Sequence, residues 1–280
     1  MELILICFTL ILGVSFGSFL NVIIHRLPLK QSIVLPPSHC PKCKIPIKYI
    51  DNIPILSYLI LKGRCRGCRE KIPMSYLLVE VITGLSFLIL LILNDYKIDW
   101  LLFRNLVFFL CGISVIFIDA KHFIIPDVIS LPMIVLGILF SFVVPLPFTE
   151  SLPGWQTSLN GAILGFSVFF AIAWFFKKVK KQDGLGGGDI KYIAGVGAFT
   201  GWVGVLFVLF FSSFLALIVY MFSILLGNKQ ERVNIAENTE NIDTKQKREI
   251  AYGPFITIAS FIFLLAGDFI IDWYFGFFHL

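Results

Sequence analysis

The sequence predicts an all-α polytopic membrane protein, with about eight transmembrane helices and one small cytoplasmic zinc-binding module. Three observations carry that expectation. The 280 residues are 58% hydrophobic and only 15% charged, whereas a soluble domain carries about 25% charged residues. Mean hydropathy is +0.88, and several apolar runs are long enough to cross a bilayer. The Lys and Arg residues, although they leave a net charge of +5, are gathered in a few loops, which is topology control and not a nucleic-acid-binding surface. Both a soluble protein with a large core and a nucleic-acid partner are set aside on these grounds.

Spans are expected near 3–24, 75–94, 101–118, 128–147, 159–176, 190–202, 204–227 and 251–274. The first lacks a basic n-region, since Glu2 is its only charge. It reads as an uncleaved helix with its N-terminus outside, because Arg26 and Lys30 follow it. Residues 26–71 hold ten Lys or Arg, 177–181 hold four and 229–248 hold five, while the loops near 95–100 and 148–158 hold one and none. The three basic loops share the cytoplasmic side only if 190–227 crosses twice, with a break near Gly201 and Trp202. That places both termini outside. The chain divides into a first helix (1–25), a cysteine module (26–74) and a membrane core (75–280) with a polar loop at 228–250.

In the module, Cys40-Pro41-Lys42-Cys43 and Cys65-Arg66-Gly67-Cys68 are two C-x-x-C pairs separated by 21 residues. Each pair can put two thiolates on one metal, and together they complete a closed tetrahedral site, the spacing of structural zinc. A redox dithiol or four unligated thiols are the competing readings. Cys7 and Cys111 lie inside apolar spans and are expected to be small buried hydrophobes.

The remaining chemistry rests on carboxylates. Asp119 closes the third span. Asp189 ends the cluster Gly184-Leu185-Gly186-Gly187-Gly188 and opens the sixth. Both fall at the cytoplasmic membrane edge, where an ionisable group is costly and usually functional. Brought close, two carboxylates share one proton: one can activate water while the other polarises a carbonyl. Helix capping is the simpler alternative for Asp189, as is interfacial placement for Asp119. Asp127 reads as an N-cap, and Lys121, His122 and Lys191 as interface anchors. Glu80 lies one turn deep in an apolar span, where a functional role competes with an interhelical hydrogen bond. Gly17-Ser18-Phe19-Leu20-Asn21 allows close helix packing, with Asn21 bonding a neighbouring helix.

These residues resemble, in order, the motifs of type IV prepilin peptidases. The stretches are Gly17–Val22 with Arg26-Leu27-Pro28, His39-Cys40-Pro41-x-Cys43, Asn52-Ile53-Pro54, Gly63-Arg64-Cys65-Arg66-x-Cys68, Val79-Glu80-x-x-Thr83-Gly84, Ile118-Asp119, Ile125-Pro126-Asp127 and Gly186–Lys191. The resemblance covers roughly residues 15–200. His25 stands where tyrosine is common, and Asp183 where glutamate is. It implies an enzyme of the bacterial cytoplasmic (inner) membrane that removes the basic leader of prepilins or pseudopilins after a glycine. It then methylates the new N-terminal amine with S-adenosylmethionine. Asp119 and Asp189 match the catalytic aspartates, Cys40, Cys43, Cys65 and Cys68 the metal site, and Glu80 a glutamate associated with methyl transfer. Gly186, Gly187 and Gly188 are expected to let the extended substrate backbone approach. The substrate and the lipid bilayer are the expected partners. No S-adenosylmethionine fingerprint is present, so that cofactor is implied by the resemblance alone. A leader peptidase without methyl transfer is one alternative. A proton-coupled transporter using Asp119, Asp189 and Glu80 as a relay is another, and would show interrupted helices in both halves.

Overall fold

In the computed structural model the described residues are 2–146, 152–180, 186–226 and 251–277. They form eight α-helices: α1 Glu2–Arg26, α2 Leu56–Ile60, α3 Met74–Leu93, α4 Trp100–His122, α5 Asp127–Phe140, α6 Gly154–Lys180, α7 Gly187–Leu226 and α8 Gly253–Phe277. Helices α1, α3, α4, α6 and α7 are long and apolar enough to cross a membrane. Helix α5 and Gly253–Gly267 of α8 are apolar and shorter. The polar loop expected at 228–250, with Asp183, Gly184 and Leu185, lies outside the described residues.

Helix boundaries follow local chemistry. The Asp99 carboxylate accepts the Leu102 N–H at 2.9 Å and caps α4. Phe123, with φ 54°, ends it. The fourth span is shorter than expected. It stops at Phe140, where the chain closes a turn through Val144 N–H to Phe140 C=O at 2.8 Å. Cys7 is exposed on the outer face of α1, so the expectation that it is buried is corrected: α1 packs mainly on α3 and leaves that side uncovered.

Close backbone approach sets the packing. Small residues four apart let helices meet without intervening side chains, and three such pairs occur: Gly13 with Gly17, Gly161 with Gly165, and Gly197 with Gly201. A methyl at Gly13 would come within 2.9 Å of Gly84 Cα, and one at Gly17 within 2.7 Å of Glu80 Cα. This seats α1 against α3. A methyl at Gly161 would collide with the Gly197 carbonyl, and one at Gly165 would meet the Ile193 carbonyl oxygen at 2.9 Å. This seats α6 against α7. Between these pairs lies a buried core of Phe108, Ile118, Met133, Tyr192, Phe199 and Ile256.

The break expected in 190–227 is at Gly201, whose φ of 72° and ψ of −177° interrupt α7. A methyl at Gly197 would lie 2.8 Å from Val205 Cγ2. Eight residues of unbroken helix span about 12 Å, so the chain turns sharply there. That backbone region is essentially restricted to glycine and costs other residues about 1–3 kcal/mol. A methyl would also come 2.9 Å from Thr157 Cγ2. The Gly201→Ala variant should therefore unfold at a lower temperature in detergent than the wild type, with a deficit of at least about 1–3 kcal/mol. Unchanged thermal stability would contradict this account.

Candidate active site and metal centre

The four-cysteine module is built from two equivalent knuckles. In the first, Cys40 N–H donates to Ile45 C=O, Lys44 N–H to Cys40 C=O and Ile47 N–H to Ser38 C=O. In the second, Cys65 N–H donates to Glu70 C=O, Arg69 N–H to Cys65 C=O and Ile72 N–H to Gly63 C=O. Each bond repeats 25 positions later, and Lys44 and Arg69 share a left-handed φ of 60° and 59°. Two ion pairs link the halves: Lys42 with Glu70, and Arg66 with Asp51 at 2.6 Å. The four Sγ atoms lie within 4.8 Å of one another, with Cys40 and Cys68 at 3.8 Å and Cys43 and Cys65 at 4.0 Å. Metal–sulfur bonds of about 2.3 Å in a tetrahedron set sulfurs about 3.8 Å apart, so the group fits a metal ion. The charge balance agrees. The Cys43 N–H, against desolvation and with help from the Lys42 N–H, pulls the Cys40 thiol down to about 6. At Cys68 the Glu70 N–H acts downward, but desolvation and the sulfurs of Cys43, Cys40 and Cys65 push the thiol up to about 11. Four thiolates in this space need a cation between them.

The elements around Asp119 and Asp189 converge on Ile125. Asp119, in the last turn of α4, is 5% exposed, and its Oδ2 accepts the Gly253 N–H at 2.8 Å. Asp189, in the first turn of α7, accepts the Gly186 N–H at 3.3 Å, while its own N–H donates to Gly186 C=O at 3.1 Å. The side-chain bond is one half of a capping box, the carboxylate at the third helical position reaching back to the N-cap N–H. The simple N-cap alternative is thereby replaced. Ile125 stands between the two sides: a methyl at Gly188 would meet its Cβ at 3.0 Å, and one at Gly253 its Cδ1 at 3.1 Å.

A hydroxyl chain braces the site. Thr257 donates to Gly253 C=O at 2.8 Å and meets the Tyr192 hydroxyl at 2.7 Å. Thus α8, which supplies the N–H to Asp119, is tied to α7 one turn beyond Asp189. Asp127 is the first residue of α5 and makes no cap bond. Its carboxylate pairs with Lys191 Nζ at 2.7 Å. Both the N-cap reading of Asp127 and the anchor reading of Lys191 give way to this ion pair between α5 and α7. The three glycines differ. Gly187 and Gly188 already belong to α7. Gly188 packs on Ile125, a methyl at Gly186 would face Asp189 Oδ2 at 3.1 Å, and only Gly187 has open space beside it.

Glu80, 9% exposed, faces the cysteine module. Its Oε2 accepts the Ile55 N–H at 2.7 Å, and Ser18 of α1 lies beside it. Asn21 Nδ2 donates to Tyr76 C=O at 3.0 Å, the expected bond to a neighbouring helix. Sequence reasoning missed Gly253 and Ile55. The Gly253-Pro254 dipeptide opening the last span was the available signal for the first; nothing local marks the second.

Comparison with known proteins agrees with the geometry. Residues 11–93 match the family model described as the bacterial peptidase A24 N-terminal domain. Residues 106–221 match the type IV leader peptidase family. Proteins named prepilin leader peptidase/N-methyltransferase from Aeromonas salmonicida and Neisseria gonorrhoeae are 33% and 31% identical. The matches cover 94% and 92% of this chain and 91% and 89% of those proteins. One from Myxococcus xanthus is 39% identical over 74% of this chain and 59% of its own length. No solved structure matches. Matched at both halves and along nearly all its length, the chain belongs to the type IV leader peptidase family.

Proposed function

We propose that this chain cleaves the basic leader from type IV prepilins or pseudopilins after a glycine and then methylates the new N-terminal amine. The observation that carries the reading is that the surroundings of Asp119 and Asp189, at the ends of two membrane helices, converge on Ile125. Two neighbouring carboxylates share one proton. The ionised one takes a proton from water, and the protonated one hydrogen-bonds the scissile carbonyl oxygen. The water oxygen bonds to the carbonyl carbon. The amide nitrogen then takes a proton from the dyad and the C–N bond breaks, leaving a leader carboxylate and a free amine. A basic leader followed by an apolar helix suits this location, because the helix can lie in the bilayer and leave the cleavage point at its edge. Gly187, with open space beside it, is the glycine best placed to admit an extended backbone.

The finer topology belongs to the same reading. Eight spans, with α7 crossing twice around Gly201, put Asp119, Asp189 and the cysteine module on the cytoplasmic side of the inner membrane. The ion held by Cys40, Cys43, Cys65 and Cys68 is zinc, in a closed structural site. Methyl transfer uses S-adenosylmethionine as donor.

Asp119→Asn and Asp189→Asn should each abolish cleavage of a prepilin-like peptide while leaving thermal stability near that of the wild type. Wild-type cutting by either variant would remove the dyad. Gly253→Ala would press a methyl to 2.7 Å from Asp119 Oδ2. A displacement of that kind should slow turnover by about a hundredfold, and an unchanged rate would show that this N–H does not position Asp119. Metal analysis of the purified protein should find one zinc per chain, lost in Cys40→Ser and Cys65→Ser. Zinc needs deprotonated sulfurs, so occupancy holds at neutral pH and falls as acidification protonates them. A labelled methyl donor, with product mass as readout, separates the bifunctional enzyme from a peptidase alone.

A further inference from the structure

Three separated stretches converge on one buried carboxylate. Ser18 comes from α1, Glu80 from α3 and Ile55 from the module, and both helices meet there through Gly17. Ile55 is the unusual member. Its φ of 61° and ψ of −54°, with Leu56 N–H donating to Pro54 C=O at 2.6 Å, define a three-residue γ-turn of the strained, positive-φ kind. A β-branched residue is poorly suited to that conformation. The turn drives the Ile55 N–H outward from the module, and Glu80 receives it. Local strain of this sort persists only where surrounding structure holds it, and it concentrates at clamps and switches.

We infer that Glu80 is a positioning residue. It latches the four-cysteine module onto the α1–α3 pair through the strained Ile55 turn, and it contributes to methyl transfer by holding the module in place, without touching the methyl donor. The part concerning methyl transfer rests on the proposed function; the latch itself does not. One carboxylate oxygen is engaged by the Ile55 N–H, and Ser18 of α1 lies beside the same group. The module has a second tie to the bundle: Arg26, at the end of α1, donates from Nη1 to Ser32 C=O at 3.0 Å and from Nη2 to Pro37 C=O at 3.5 Å. Removing Glu80 therefore loosens one of two anchors and leaves the chain folded and tethered.

The test compares full-length wild type, Glu80→Ala, Glu80→Gln, Ile55→Gly and the Glu80→Ala/Ile55→Gly double variant in detergent micelles. Trypsin cleavage within the module and zinc retention report docking; leader cleavage and methyl transfer report activity. Losing a buried hydrogen bond of this kind corresponds to about a tenfold change. Glu80→Ala should thus be cut about tenfold faster by trypsin and lose methyl transfer to a similar degree. Glu80→Gln keeps an oxygen for the Ile55 N–H and should stay near wild type in both. Glycine tolerates the turn, so the double variant should be less damaged than the two single effects combined. Glu80→Gln losing methyl transfer with wild-type trypsin resistance would make the carboxylate a chemical participant and overturn the inference. Unchanged trypsin resistance in Glu80→Ala would overturn it too. If the wild type neither cleaves nor methylates, the proposed function fails, while the trypsin and zinc readouts still decide the latch.

Discussion

The approach of the α6 backbone to the first half of α7 is the contact on which the active-site architecture depends. In a bilayer, lipid tails are as apolar as leucine, so helices gain little by hiding apolar surface and must gain by packing. Gly161 and Gly165 admit the Gly197 and Ile193 carbonyls to near-contact with α6. Gly137 of α5 does the same on another side, where a methyl would meet Ala198 Cβ at 2.7 Å. The short helical stretch 187–200 is therefore gripped by two neighbours along most of its length. Asp189 is rigid because the stretch that carries it cannot rotate or slide without driving backbone into backbone.

The two carboxylates are held by different devices, and the difference suits unequal roles. Asp119 is deep in its site and receives an N–H from a residue 134 positions away. Asp189 is steadied locally, by the turn that starts its own helix. A fixed N–H aimed at one oxygen favours the ionised form of its acceptor. Ile125 is buried between the two sides and contacts the surroundings of both.

Much of this was legible in the sequence because the decisive signals were local. The C-x-x-C spacing, the charge alternation of the loops and the Gly201 break each depend on a few neighbouring residues. The 25-residue spacing of Cys40 with Cys65 and of Cys43 with Cys68 stands in the sequence, whereas the matching backbone hydrogen bonds of the two knuckles needed the structure. The Gly253 N–H and the Ile55 turn were hidden for another reason. Main-chain donors carry no residue-type signature, and their partners lie far away in the chain. The same distance explains Asp127 and Lys191. Each has an adequate local explanation, as cap or anchor, which the tertiary pairing between α5 and α7 overrides.

The Gly253 contact also bears on the birth of the protein. Helices enter the membrane in the order of synthesis, and α8 is the last of those described. Until it is in place, Asp119 lacks its N–H and the Tyr192–Thr257 brace has no second end. A ribosome-bound, half-inserted chain thus carries both aspartates without the geometry that makes them a pair. Both the Asp119 contact and the Tyr192–Thr257 brace therefore form only once α8 has joined the other described helices.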